Sequence, residues 1–411
     1  MSKKVTIITA NYYPEDTAIG LYTTQFAEYL KSNDFIVTVL TGFPYYPQWK
    51  ITDTYQKKPK FHKEKIKDIE IIRYKQFVPK KVTFLGRILM ILSFNFGMFF
   101  NLFRLKKSDL VICIIPYTTN CFWGKIYSLL YGSKFWIHIQ DFEFDLLLDS
   151  GIGKKNSFLK KIFFKVLLKF ERLLLNSADV VSSISHSMIH KINEKANPKD
   201  TFYFPNWVSI DDINPSTSKP HPYFNSSKYN LLYSGNMGEK QDWDFFIAFC
   251  ELIQPEDNIE IVMVGNGGYC QTLKERSKKF NFVKFKDVVP YEDLSNLLCS
   301  SDCHFLFQKS EVLDSVMPSK LLGMMASAIP SVVTGNENSE VKTILTQSNG
   351  GYYISNNSIK DVYEAVIRLK NNPEKSHNMG EQAREFVNNK FSDKAVLHRF
   401  LLEINQKLNE K

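Results

Sequence analysis

Short apolar runs alternate with longer amphipathic stretches along all 411 residues, the pattern of parallel strands joined by crossover helices. In the first half the predicted strands are VTIITA, FIVTVLTG, IEIIRY, DLVICIIP, KFWIHIQ, DVVSSIS and TFYFPN. Helices are predicted at about 20–31, 84–105, 119–131, 155–177 and 185–196. The second half repeats the style, with strands YNLLYSG, IEIVMVG, FVKFKD, CHFLFQ, IPSVVTG and GGYYIS. Its predicted helices fall near 242–254, 268–280, 291–300, 319–327, 338–347 and 358–370. Between the halves, VSIDDINPSTSKPHPYFNSSK has the Pro, Ser, Asp and Asn content of a connection. The expected organisation is two Rossmann-like, doubly wound α/β domains, 1–205 and 229–392, with a linker at 206–228. A last amphipathic stretch, 393–411, has no strand after it.

Composition adds two facts to this picture. An apolar fraction of 44% and a charged fraction of 23% are those of a folded globular chain. The net charge of +9 is uneven: residues 1–200 hold 30 Lys and Arg against 17 Asp and Glu, and the remainder holds 22 against 26. One half therefore faces something anionic, whether phosphorylated substrate, membrane surface or nucleic acid. No module interleaving aromatic and basic residues for nucleic acid is present. The six cysteines form no CxxC pair, and several lie in apolar runs, as reduced thiols of a cytoplasmic protein do. Cys299, Cys303 and His304 lack the ligand number and spacing of a zinc site. The apolar run VTIITA behind the N-terminus is too short for a signal peptide.

Candidate chemistry gathers where strands end. After the first strand, NYYPEDTAIG leads into a helix, and Gly20 there would let backbone amides approach a phosphate. In YNLLYSGNMGEKQDWDFF, Gly235 and Gly238 permit a tight turn, and Lys240 offers a point charge to a diphosphate. IEIVMVGNGG ends the next strand with Gly265, Asn266 and Gly267. Two such loops at successive parallel strands mark a nucleotide crevice. Asp242-Trp-Asp244 looks like a metal-holding triplet, but its place at a helix start predicts a cap. Pro318 and Ser319 open another helix and put Lys320 in its first turn. In KFWIHIQDFEFD, His138 and Gln140 share a strand face, and Asp141 sits at the strand's carboxyl end, where this architecture keeps catalytic groups. A satisfied core histidine is the competing reading of His138.

These segments, with TGFPYYPQW, SSISHSM, YFPNW, SSDCHFLFQ and MPSKLL, run in the order of a known group. The chain resembles the retaining glycosyltransferases of family 4, which have the GT-B fold. Within that family it is similar to the branch of exopolysaccharide and capsule assembly, including colanic acid fucosyltransferase-type enzymes. The resemblance covers nearly the whole chain, to about residue 395. It implies an active site in the cleft between two Rossmann-like domains, a nucleotide-sugar donor linked through UDP or GDP, and no metal. It implies that Gly20 lies by the donor diphosphate, that Lys240 binds it, and that the turn around Gly265 and Gly267 lines the donor site. His138 and Asp141 would face the transferred sugar and the acceptor, and residues 393–408 would cross back to the first domain. Departures from the family pattern are equally specific. Ser315 and Gly323 stand where the family has two glutamates, with Asp314 beside the first, and Asn236 replaces an arginine. Donor recognition is then expected from Lys240, Lys320, Ser319, Asp314, Asn236 and backbone amides.

The implied reaction neutralises the departing diphosphate with Lys240 and Lys320, while its oxygen takes the acceptor proton and Asp141 orients the acceptor hydroxyl. The family's acceptors are lipid diphosphate-linked saccharides at the inner face of the cell membrane. Two stretches suit that place. Residues 84–105 are apolar enough to approach a span but include Arg87, Asn95 and Arg104, so burial or shallow docking is expected instead. In KKNSFLKKIFFKVLLKFERLLL, Lys161, Lys165, Lys169 and Arg172 share one helical face opposite apolar residues, a basic amphipathic helix of the membrane-surface kind. The alternatives are a nucleotide-sugar epimerase of similar build, or a non-catalytic nucleotide-sugar-binding assembly partner.

Overall fold

The computed structural model describes residues 2–16, 18–81, 83–147, 158–311, 319–355 and 358–410. The chain forms two compact units, Met1–Pro205 with Leu397–Lys411, and Asn206–Val396.

The first unit runs β1 (Lys4–Ile8), α1 (Ala18–Ser32), β2 (Ile36–Gly42), α2 (Asp53–Gln56), β3 (Phe61–Ile66), β4 (Ile69–Tyr74), α3 (Phe84–Leu102), β5 (Leu110–Ile115), α4 (Thr119–Tyr131), β6 (Lys134–Ile139), α5 (Glu143–Leu147), α6 (Phe158–Asn176), β7 (Val180–Ser183), α7 (His186–Lys195) and β8 (Thr201–Tyr203). Its sheet has the order β3-β4-β2-β1-β5-β6-β7-β8. Every pairing is parallel except that of β3 with β4. Strands covered on both faces must be apolar throughout, and β5, LVICII, is buried at all six positions. β3, FHKEKI, is an edge strand with charged residues along it. Its lack of an apolar run is why the sequence pattern does not predict it.

The second unit runs β9 (Tyr229–Ser234), α8 (Trp243–Leu252), β10 (Ile259–Val264), α9 (Cys270–Arg276), β11 (Val283–Lys286), α10 (Leu294–Cys299), β12 (Cys303–Phe307), α11 (Ser319–Ala326), β13 (Ser331–Thr334), α12 (Glu340–Ser348), β14 (Gly351–Ile354), α13 (Ile359–Asn371) and α14 (Pro373–Phe391). Its all-parallel sheet has the order β11-β10-β9-β12-β13-β14. α14 is a second element absent from the sequence reading. Asn372 accepts the Lys375 amide and Pro373 opens the helix, while its buried side is mostly small: Gly380, Ala383, Val387 and Phe391.

The stretch expected as a linker, 206–228, is packed structure of the second unit. Ile213 is buried, the Asn214 amide donates to Ser295 Oγ, and the Lys219 amide donates to Asn296 Oδ1. Arg384 of α14 donates to the carbonyls of Ile210, Ile213 and Ala326, tying this stretch to α11.

α15 (Asp393–Asn409) starts in the second unit, and its residues from Leu397 onward belong to the first. Phe400 is the reason. Its ring stacks on Phe204 at 3.9 Å and meets Trp136 at 4.8 Å and Phe26 at 4.9 Å, all within the first unit. Lys3 Nζ donates to Asn405 Oδ1 from the other end of the chain. Phe400→Ala removes a buried ring from this cluster and should cost about 3 kcal/mol of stability. Leu402→Ala, at a position 56% exposed, should cost far less. Urea unfolding of the two variants measures the difference.

Candidate functional site

In an open α/β sheet a ligand sits beyond the carboxyl ends of the strands, where the strand order reverses. The second unit reverses between β9 and β12. β9 ends at Ser234 and the turn Gly235-Asn236-Met237-Gly238 follows; β10 ends at Val264 and Gly265-Asn266-Gly267-Gly268 follows. The two turns are laced together. The Gly235 amide donates to Val264 O, the Met237 amide to Asn266 O, and the Tyr269 amide to Met237 O.

This lacing requires glycine. Gly265 has φ +150°, and a Cβ on it would stand 1.9 Å from the Gly235 carbonyl oxygen. Gly267 has φ +151°, and its Cβ would stand 2.4 Å from the Met237 oxygen. Asn236, Asn266, Gly267 and Gly268 are exposed, and a Cβ on Gly268 would enter open space.

Lys320, in the first turn of α11, reaches this turn. Its Nζ donates to Tyr233 Oη at 2.6 Å and to the Asn236 carbonyl at 2.9 Å, and it lies 4.7 Å from the centre of the Tyr233 ring. Its stem crosses Gly235, where a Cβ would stand 2.4 Å from Lys320 Cε. Burial disfavours the ammonium and pulls the Lys320 pKa down to about 8. The cost of that buried charge is fully present below about pH 8 and fades between there and the ordinary lysine value of 10.5. Lys240 is exposed in the loop before α8, and its ammonium has no hydrogen-bond or ion-pair partner among the described residues. Its carbonyl accepts the Lys309 amide, which holds the loop beside the end of β12. Ser319 begins α11, and Asp314 lies outside the described residues. Asp242 Oδ1 accepts the Phe245 amide as the cap of α8, the role its place at the helix start predicts, and Asp244 pairs with Arg276. A Cβ on Gly323 would make ordinary contacts with Leu298 and Ile213.

The first unit reverses between β1 and β5, and polar residues gather beyond β1, β2, β5 and β6. The sequence reading missed the residue that ties them, Glu15. Its Oε1 accepts the amides of Tyr45 and Tyr46, and its Oε2 accepts Asn11 Nδ2. Burial raises its pKa against the pull of those donors. Gly20, in α1, is explained by the same residue: a Cβ there would stand 2.7 Å from Glu15 Cβ. Packing against Glu15 thus accounts for a glycine expected beside the donor diphosphate. Tyr45 Oη shares a 3.3 Å hydrogen bond with Tyr117 Oη. Tyr117 holds φ +91°, a strained conformation for an aromatic residue and one concentrated at functional sites. Glu143, at the start of α5, accepts the Thr118 amide at 2.7 Å, and burial raises its pKa. The signal available in sequence was the co-occurrence of NYYPE and FPYY, which Glu15 joins.

His138 is 4% exposed. Its Nδ1 is 3.0 Å from Ser182 Oγ, and its Nε2 is 2.9 Å from Gln140 Nε2. The amide must donate to Nε2, so Nδ1 carries the proton, and burial alone lowers the pKa to about 3. This is the satisfied core histidine, neutral at working pH: it can position Gln140 but does not exchange a proton there. Asp141 sits half-exposed in the bend between β6 and α5.

Residues 217–386 match the family described as Glycosyl transferases group 1. Over 98% of this chain and 99% of the relative, the sequence is 30% identical to the putative colanic acid biosynthesis glycosyl transferase WcaI of Escherichia coli K12. Among solved structures, sucrose-phosphate synthase of Thermosynechococcus elongatus superposes with TM-score 0.72 at 13% identity, covering 100% of both chains. Anabaena Alr3699/HepE, solved with UDP and glucose, superposes with TM-score 0.69 at 11% identity, covering 98% of this chain and 100% of that one. The fold of these two-domain structures is GT-B.

Two outcomes test this geometry. Gly265→Ala should destabilise the second unit by about 3 kcal/mol, because backbone must move and a positive φ must be paid in strain, and thermal unfolding measures it. The ring carbon resonances of His138, assigned against His138→Gln, should not titrate between pH 5 and 8.

Proposed function

This chain belongs to the group 1 glycosyl transferases, and from that premise we propose that it is a retaining hexosyltransferase using a nucleotide diphosphate sugar and a lipid diphosphate-linked saccharide acceptor in surface polysaccharide synthesis. The observation that carries the donor half is the glycine-laced pair of turns with Lys320 drawn across Gly235. Exposed backbone there, with a partly desolvated cation beside it, suits a diphosphate and needs no metal. A UDP-linked donor is the first to try, since the similarly folded HepE was solved with UDP and glucose. The likeness to a colanic acid enzyme supports polysaccharide assembly, and hence an acceptor at the cytoplasmic face of the membrane.

In the reaction we propose, the bond from the sugar's anomeric carbon to the diphosphate breaks, and a bond to the acceptor oxygen forms on the same face. The acceptor proton passes to the departing phosphate oxygen. Lys240 and Lys320 neutralise the charge that develops on the leaving diphosphate, and Asp141 orients the acceptor hydroxyl. The two absent glutamates leave Lys320 with a larger share of donor recognition than the family pattern gives that position.

A thermal-shift panel of UDP- and GDP-sugars, followed by transfer to a lipid diphosphate-linked saccharide, tests the proposal. Donor turnover without acceptor would replace it with epimerisation, and donor binding without transfer to any such acceptor would replace it with a binding role. Lys240→Ala should cut turnover by orders of magnitude with the fold intact; wild-type turnover in that variant would remove the assignment. Lys320→Met should weaken donor binding by about 2 kcal/mol, roughly 30-fold. Wild-type donor affinity should fall as pH rises through about 8, where Lys320 loses its proton, and the variant's profile should be flat there.

A further inference from the structure

A helix packed on a globular domain ordinarily turns polar residues to water. α3 does not. Its inward side is fixed: the Tyr74 ring fills the space a Cβ on Gly97 would need, Ser93 Oγ accepts the Phe77 amide, and Asn95 Oδ1 accepts Trp123 Nε1. Its outward side is Leu85, Leu89, Leu92, Phe96 and Phe99, ending at Phe103 on the cap, each exposed and each three or four residues from the last. That is a full helical stripe of apolar residues facing solvent.

The stripe continues sideways. Phe99 meets Trp123 of α4 at 5.9 Å, Trp123 meets Phe122 at 5.0 Å, and Phe122 meets Phe170 of α6 at 6.2 Å. On α6, turning at 100° per residue from Phe170, the exposed Phe163, Val166, Leu173 and Ile162 come first, and the exposed Lys169, Lys165 and Arg172 follow. Fifteen of the 23 large apolar side chains exposed among the described residues stand on these three helices or the α3 cap. A soluble surface does not keep so continuous a patch without a partner.

Charge says which partner. α3, α4 and α6 contain one acidic residue between them, Glu171, which is buried and paired with Lys195 at 2.8 Å. Beside the apolar stripes stand Arg87, Arg104, Lys106 and Lys107, with Lys165, Lys169 and Arg172 of α6, all exposed. An apolar field with a basic rim is complementary to a bilayer carrying anionic headgroups.

We infer that α3, α4 and α6 form one monotopic face that inserts its apolar stripes into the headgroup–acyl boundary of an anionic bilayer, resting on the membrane-borne acceptor proposed above. α3 is 19 residues long and apolar enough to pass for a span, yet 39% of it is buried against the first unit. It therefore lies in the membrane plane, over roughly 28 Å of length. Apolar insertion supplies the salt-resistant part of binding and the basic rim the salt-sensitive part.

Flotation of the full chain with phosphatidylcholine vesicles, with and without phosphatidylglycerol, tests this with no donor or acceptor present, so its failure is separate from any failure of sugar transfer. The wild type should float with the anionic vesicles and keep part of that binding at 1 M salt. Leu89→Ser/Leu92→Ser/Phe96→Ser should lose about tenfold in partition at low and high salt. Lys165→Ser/Lys169→Ser/Arg172→Ser should lose about tenfold at low salt only. Retained thermal unfolding and donor-induced shift show that the variants are folded. Quenching of tryptophan fluorescence by brominated lipid, lost in Trp123→Phe, reads insertion in a protein with the face intact. A wild type that ignores vesicles overturns the inference, as does an apolar variant that floats like the wild type. So does a wild type that is dimeric by light scattering through this face and leaves vesicles alone, which would make it an interface between copies.

Discussion

The candidate donor site depends on how close two backbones can come. Where β9 and β10 end, the Gly235 oxygen occupies the place of a side chain on Gly265, and every other feature of the region follows from that approach. The second turn can rest on the first only at positive φ, which glycine alone adopts without strain. The resulting surface is nearly bare of side chains around Gly267 and Gly268, while Lys320 is drawn in from α11 over Gly235 and loses solvent. Burying a cation beside a tyrosine hydroxyl and a carbonyl is unfavourable in an isolated protein and becomes favourable opposite an anion. Among the described residues the Lys320 ammonium meets a hydroxyl and a carbonyl, and no carboxylate.

Much of this was legible in the sequence because it rests on local pattern. Doubly buried strands such as LVICII and IEIVMV, and glycines at strand ends, read directly as a parallel sheet with a crevice. What escaped rests on contacts between distant residues or on weak amphipathicity. β3 alternates no apolar face because it is an edge, and α14 buries small residues that carry little hydrophobic signal. Glu15 reads as one acid in a polar loop until the fold brings Tyr45 and Tyr46 to it across thirty-odd positions. His138 shows the reverse: strand-end polarity made it a candidate for chemistry, and Ser182, unremarkable in sequence, satisfies it.

The two units differ in what their polar groups are for. Beyond the sheet of the second unit, the backbone of Asn266, Gly267 and Gly268 and the Lys240 side chain are left exposed. Beyond that of the first, two carboxylates, Glu15 and Glu143, spend themselves on the amides of Tyr45, Tyr46 and Thr118, holding three loops in place. Such a frame holds its loops rigidly, and the strained Tyr117 is hydrogen-bonded into it through Tyr45.

The return of α15 bears on how the protein is made. Most of the aromatic cluster around Trp136 and Phe204 lies within the first half of the chain, yet Phe400, which stacks between them, is translated close to the end. During synthesis the leading unit therefore waits, its hydrophobic slot open, while the entire following unit emerges and folds. Order of synthesis and order of completion are reversed: the first unit begun is the last to be sealed.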